Sequence, residues 1–333
     1  MLPTDKQIKQ SLATGLTQSE LMCRCNCPRK WMFRYILNLK RQSSFSWPLV
    51  MGSAIHKLLE MSYHGRLKEP TTIDFDFEPD VLLNPIQEEE YKYYKMVAAM
   101  LVWRHNQHYK EFDEKLEIES IEYEINYEYR GFRLRGMIDL AGYGSNRPGL
   151  WIMDHKSTGD INDKILEGWN FRFQFLFYAW LWTRVSGQRP TGIFVNMLKK
   201  PLERRSVKKQ ESLGEFIRRI DNNIQIDPQS YFRREWIPLD DATIERFQNW
   251  TLDPLITEMH MLQEAVSGDS YERFNQVEKE AMLLRANTDH CLGPYHNFPC
   301  EFLELCKNDF NDYASEYIQR EHKHPELSST NGE

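Results

Sequence analysis

The stretch GMIDLAGYGSNRPGLWIMDHKS, residues 136–157, decides how the rest of the chain is read. MIDLAGY is apolar and β-prone, residues 144–149 are rich in turn formers, and LWIMD resumes the apolar run, so two strands joined by a turn are expected. Asp139 and Asp154 then fall on adjacent strands. Side chains alternate faces along a strand, which sends Asp154 and Lys156 to one side and His155 to the other. Two carboxylates and an amine on one face can hold a divalent cation while the ammonium orients and activates a water for attack on phosphorus. Those are the requirements of phosphodiester hydrolysis.

Taken alone, Asp-x-Lys and Gly-x-x-Asp are common, so their context carries the argument. Upstream, MGSAIHKLLEMSYH (51–64) reads as a helix start, with Gly52 allowing close backbone approach and His56 one turn further on. Downstream, NFRFQFLFYAWLWTRV (170–185) is an apolar stretch of helical length with Gln174 and Tyr178 four apart on one face. LEIESIEYEINYEY (116–129) alternates as a strand, and Arg130-Gly131 turns it into FRLRGMIDL, giving a three-strand meander that ends at Lys156. Glu119, Glu122 and Glu124 lie on its first strand; Glu124 is expected as an extra metal carboxylate, the others as an exposed face. GIFVNML (192–198) is a further strand. The fold class is therefore α/β, with a core of helix, three-strand meander, helix and strand carrying large helical additions. A long helix is expected at 86–109 after a Pro- and Asp-rich loop (68–85), and 208–285 reads as mostly helical, with clear periodicity over 213–223 and 240–266. TQSE (17–20) has the form of a capping box.

Gly52-x-x-x-His56, Gly136-x-x-Asp139, Asp154-x-Lys156 and Gln174-x-x-x-Tyr178, in that order, resemble the PD-(D/E)xK nuclease superfamily in its RecB-like branch. The resemblance implies a restriction-endonuclease-like core, with His56, Asp139 and Asp154 as metal ligands and Lys156 as the catalytic lysine. Gln174 and Tyr178 would shape the site or contact DNA. It further implies Mg²⁺ or Mn²⁺ and an exonuclease acting on single-stranded or unwound DNA ends, in recombination, repair or defence. A structure-specific endonuclease and a non-catalytic DNA-end-binding adaptor are the alternatives. The chain has no Gly-x4-Gly-Lys-[Ser/Thr] loop, so unwinding would fall to another protein, with a helicase or recombinase as the expected partner.

A net charge of −7 runs against phosphate binding, so local clusters matter more than the total. Arg24, Arg29, Lys30, Arg34, Lys40 and Arg41 form one basic group, and Lys199, Lys200, Arg204, Arg205, Lys208 and Lys209 a second. Either could line a DNA track or be a solvated face. No apolar run reaches the ~20 residues of a membrane span, and the start is polar, so a cytoplasmic protein is expected.

Six cysteines stand at 23, 25, 27, 291, 300 and 306, with none in the 263 residues between 27 and 291. In a cytoplasmic protein such thiols favour metal or cluster ligation over disulfides. Cys27 with Cys291, Cys300 and Cys306 offers four thiolates, which suit an iron-sulfur cluster or zinc. Cys23, Cys25, His290 and His296 are further candidates for a zinc site. The RecB-like nucleases that include AddB and the CRISPR-associated exonucleases have this layout, one cysteine before the core and three after it, and the resemblance implies a 4Fe-4S cluster. The expected organisation is an N-terminal helical segment (1–50), a nuclease core (51–210) with its helical insertion, a helical C-terminal region (211–310) and a polar tail (311–333).

Overall fold

The computed structural model describes residues 2–42, 47–66, 85–162, 172–201, 203, 205–206, 208, 210–267, 276–291, 299–307, 314–324 and 327. In chain order the elements are α1 (Asp5–Ala13), β1 (Leu16–Thr17), α2 (Gln18–Asn26), α3 (Pro28–Trp31), β2 (Leu39–Arg41), α4 (Trp47–Tyr63), α5 (Pro85–His108) and α6 (Lys110–Asp113). They continue with β3 (Leu116–Tyr129), β4 (Phe132–Gly144), β5 (Arg147–Thr158), α7 (Phe173–Ser186), β6 (Gly192–Lys199), α8 (Leu213–Ile226) and β7 (Phe232–Pro238). Last come α9 (Asp241–Phe247), α10 (Asp253–Ser267), α11 (Gln276–Leu284), α12 (Leu303–Lys307) and β8 (Tyr317–Gln319).

The central sheet has the order β3-β4-β5-β6-β7, with β1 lying parallel to the first half of β4. β5 and β6 pair in parallel across the α7 crossover, and the other long pairs are antiparallel. Both faces of the sheet are covered, which is why LWIM and GIFVNML are apolar at almost every position. Leu150, Ile152, Ile193 and Val195 pack with α7 on one face. Trp151, Met153 and Phe194 point to the other, and Leu198 packs there beneath α4, α5 and α8.

Two short turns fix the register of the meander. Arg130 and Gly131, at φ 49° and 78°, close the β3–β4 hairpin between Tyr129 and Phe132. Ser145 and Asn146, at φ 55° and 60°, close β4–β5, so Arg147 to Gly149, expected in the turn, already belong to a strand. Positive φ at both central residues matches the right-handed twist of paired strands. Between Gly142 and Gly144 the β4–β5 ladder shifts. A Cβ at Gly142 would come within 2.3 Å of the Glu117 carbonyl and one at Gly144 within 2.2 Å of the Lys115 carbonyl, so only glycine permits the irregularity.

The helices expected at 86–109 and 213–223 are α5 and α8, and 240–266 is α9 and α10 joined by a π-helical turn, Gln248–Leu252. Within the stretch read as mostly helical, FRREWIP is instead β7, an edge strand ending at Pro238, where a missing N–H costs no ladder bond. The loop at 68–85 falls, up to residue 84, outside the described residues. TQSE forms half of its box: Thr17 Oγ1 accepts from the Glu20 N–H at 3.3 Å, while the Glu20 carboxylate turns inward. Part of the stretch expected as a polar tail is built into the fold, because β8 pairs with β2 and Lys323 and His324 pack against Glu20. Among the described residues no helix is long and apolar enough to cross a membrane.

Candidate active site

Carrying the Tyr129–Phe132 register back along β3 and β4 sets Glu122 directly opposite Asp139. The ladder pairs Ile121 with Leu140 and Tyr123 with Ile138 but leaves the pair between them open. On the other side of β4 the ladder stops at Leu140 with Met153, so the next pair in register is Asp139 with Asp154. Three carboxylates thus lie in a row across three neighbouring strands. The backbone gives way at this row: Glu122 adopts φ 45°, a left-handed conformation that costs a non-glycine residue on the order of 1 kcal/mol or more. Asp139 Oδ2 accepts the His155 N–H at 2.6 Å.

α4 lies along this row. Gly52 lets it approach, since a Cβ there would sit 3.0 Å from Ser157 Oγ, and one turn later His56 Nδ1 comes to 3.7 Å from Asp139 Oδ2. Ligand atoms of His56, Glu122 and Asp139 all lie within 4.8 Å of one another. One imidazole nitrogen and two carboxylate oxygens at that spacing suit a hard or borderline divalent ion. Asp154 stands beside this group, with Oδ1 accepting from Gln174 Nε2 at 3.0 Å and Oδ2 2.6 Å from Lys156 Nζ. Tyr178, one turn beyond Gln174, packs on Gly136, where a Cβ would meet its ring at 3.1 Å. The four sequence motifs therefore meet: Gly52 brings in His56, and Gly136 seats the helix that delivers Gln174.

Electrostatics single out the same residues. Burial pushes the Glu122 carboxyl up to about 9, with Asp139 and Glu60 adding to the effect. Burial also raises Asp139, with Asp154 acting in the same direction and His56 and Lys156 against it. Excess buried negative charge of this kind marks a site for a cation. His155 faces away, as strand alternation requires. It is 2% exposed, and burial holds its imidazole well below the usual range.

Glu124, the expected extra carboxylate, is placed elsewhere: it receives Arg135 at 2.6 Å, and Glu122 takes the position beside Asp139. The hairpin turn held the signal, because a two-residue Arg130-Gly131 connection already aligns Glu122, not Glu124, with Asp139. In the first basic group, four of the cations are engaged across the fold. Arg24 is buried against Trp31 and donates to the Met282 carbonyl. Arg29 donates to the Leu284 carbonyl, Arg34 pairs with Glu301 and Arg41 with Glu316. These cations fasten the N-terminal helices to the C-terminal segments. In the second group, Lys200 Nζ donates to the Pro48 carbonyl at 3.1 Å and to Ser157 Oγ at 3.3 Å, at the end of β5; residues 204 and 209 are outside the described residues.

Burial raises the Cys300 and Cys306 thiols, Cys27 lies close enough to add to both shifts, and Arg29 is hydrogen-bonded to Cys306. The Cys300 N–H donates to the Cys291 carbonyl at 2.7 Å. Burial pushes the Cys23 thiol up to about 12 and Cys306 to about 11. Among the described residues no three cysteine sulfurs lie within 4.8 Å of one another. His296 falls outside the described residues.

A solved structure, the crystal structure of SSO0001, is similar over 63% of this chain and 85% of that one, with 15% identity and a TM-score of 0.24. No curated protein matches. The family pattern of the PD-(D/E)XK nuclease superfamily matches residues 15–306, from just before β1 into α12 and across every motif residue above. With sequence match and mixed sheet in agreement, the chain belongs to the PD-(D/E)XK nuclease superfamily.

Proposed function

We propose that this chain is a Mg²⁺- or Mn²⁺-dependent deoxyribonuclease that degrades single-stranded or unwound DNA from its ends. The observation that carries the reading is the row Glu122, Asp139, Asp154 across β3, β4 and β5, with Lys156 beside it and His56 above it. His56, Glu122, Asp139 and Asp154 are the ligands. When bound, one or two divalent ions would supply charge stabilisation for the pentavalent phosphate and lower the pKa of a water. Lys156, whose ammonium lies 2.6 Å from Asp154 Oδ2, would orient the attacking water and by its positive charge favour release of the water's proton to solvent. The water oxygen bonds to phosphorus as the P–O bond to the leaving sugar oxygen breaks, and that oxygen takes a proton from solvent. Gln174 holds Asp154 in register, and Tyr178 keeps its helix seated on Gly136. Lys200, next to Ser157, is a cation placed to meet a neighbouring phosphate. Action at ends is supported by the resemblance of the four ordered motifs to the RecB-like branch.

Cys27, Cys291, Cys300 and Cys306 are assigned to a 4Fe-4S cluster with a structural role, on the number of thiolates and on the approach of Cys27 to Cys300 and Cys306. Iron, sulfide and zinc analysis of anaerobically purified protein checks this; stoichiometric zinc without iron would replace the cluster by a zinc site.

The functional test is digestion of end-labelled single-stranded, duplex and circular DNA with Mg²⁺, Mn²⁺ or EDTA, comparing the wild type with Asp154→Ala and Lys156→Ala. Mononucleotide release from linear strands, absent with EDTA and in both variants, is the expected result. Cutting of the circle would make it an endonuclease. Folded protein that binds these DNAs and cuts none would sink the catalytic reading.

A further inference from the structure

Behind the carboxylate row the structure closes a ring of polar side chains that the hydrolytic reading does not use. Asn196 is the parallel register partner of His155 and is 0% exposed. Arg234 Nε donates to Asn196 Oδ1 at 2.8 Å, and an arginine only donates, which fixes the amide orientation. Asn196 Nδ2 therefore donates to His155 Nδ1 at 2.8 Å, and His105 Nε2 meets Asn196 Oδ1 at 2.9 Å. Arg234 also bonds Tyr63 Oη at 3.0 Å, and the Tyr63 ring stacks on His155 at 5.7 Å and 10°. The ring of contacts thus returns to its start: His155, Asn196, Arg234, Tyr63. Asp113 neutralises the guanidinium, which lies over the Tyr109 and Phe112 rings.

Burying so many polar groups is a poor route to stability, because a well-packed apolar core of the same volume does as well or better. Its location supplies the alternative. His155 lies between Asp154 and Lys156, its own N–H holds Asp139 Oδ2, and its ring meets His56 edge-on at 6.0 Å. We propose that this closed circuit is a positioning device for the metal site. Asn196 and Arg234, on strands that carry none of the family motifs, hold His155 so that Asp139, Asp154 and His56 keep metal-binding separation. Supporting groups of this kind, one step removed from the ligands, typically change metal affinity or activity 10–100-fold when lost.

The inference rests on the metal-dependent reading above, and its test uses Mn²⁺ uptake by the full chain, followed by electron paramagnetic resonance, beside cleavage kinetics. His155→Leu removes the acceptor at Nδ1; His155→Asn places an oxygen near that position. The expected result is a 10–100-fold weaker Mn²⁺ half-saturation and lower kcat for His155→Leu, KM for DNA unchanged, and recovery of most of the loss in His155→Asn. A folded His155→Leu protein with wild-type Mn²⁺ uptake overturns the proposal. Should that variant fail to fold, the isosteric Asn196→Asp decides: the same Mn²⁺ weakening supports the circuit and wild-type uptake rejects it. Wild type that takes up Mn²⁺ yet cuts no DNA overturns only the nuclease reading, whereas wild type that takes up none overturns both.

Discussion

Two carboxylate sites of this molecule, one fully and one partly buried, have their acidities shifted in opposite senses. Glu20, 0% exposed, has Lys323 Nζ at 2.9 Å, His324 Nε2 at 3.1 Å and Trp31 Nε1 at 3.1 Å, and these partners outweigh burial and hold its carboxyl below the usual range. Around Glu122 and Asp139, burial and the neighbouring carboxylates outweigh His56, Lys57, Lys156 and the His155 N–H, and both carboxyls are raised. Negative charge that arrives with its own cations is structure. Negative charge that lacks them costs stability and is retained where a cation comes from solution.

The comparison breaks first at catalysis. Asp139→Asn keeps an oxygen for the His155 N–H but removes a charge, and should slow cleavage by about 10³ or more, the several kcal/mol a metal supplies to the transition state. Its fold should stay intact by circular dichroism. Glu20→Gln acts in reverse: it strands Lys323 and should cost about 3–5 kcal/mol in urea unfolding, with cleavage per folded molecule unchanged. Because the folded pKa of Glu20 is depressed, its contribution is present above the unfolded value near 4.5 and is lost as pH falls below it.

Glu122→Gln sharpens the contrast, with a gain of about 1–3 kcal/mol in metal-free stability near neutral pH and weaker Mn²⁺ uptake. Its folded carboxyl, raised to about 9, keeps a proton that the unfolded chain releases near 4.5, so in EDTA the wild type should lose stability relative to Glu122→Gln as pH rises through that window. Saturating Mn²⁺ should remove this difference; a metal-free gap between the two proteins that stays constant from pH 5 to 9 would contradict the assignment. The smallest effect belongs to Glu124→Ala. Its half-buried pair with Arg135 is worth about 1 kcal/mol or less, and Mn²⁺ uptake should not change.

How legible the two sites were follows from how far apart their residues stand in the chain. The row of carboxylates is written in alternation and short turns, so Asp139, Asp154 and Lys156 could be aligned from one 22-residue stretch, and His56, Gln174 and Tyr178 from family spacing. Strand parity permits Glu122 and Glu124 alike; only counting through the Arg130-Gly131 turn separates them. β7 was hidden for another reason. FRREWIP carries charges at 233–235, and Arg234 reads as surface when it is buried against Asp113. The clamp around Glu20 could not be read at all, because a carboxylate at 20 and cations at 323 and 324 carry no common pattern. For the same reason Arg24, Arg29, Arg34 and Arg41 looked like a basic face, when their acceptors lie more than 200 residues away.

The pairing of β2 with β8 has a consequence for the order in which the chain can be completed during synthesis. Trp31 and Phe33 join the cluster that holds Phe302 only after residues beyond 300 have left the ribosome, and Glu20 stays without Lys323 until residue 323 follows. The meander, with its local contacts, can form much earlier. A nascent chain stalled before residue 300 would therefore present a formed carboxylate row beneath an unclosed N-terminal layer, with exposed aromatics that a chaperone would recognise.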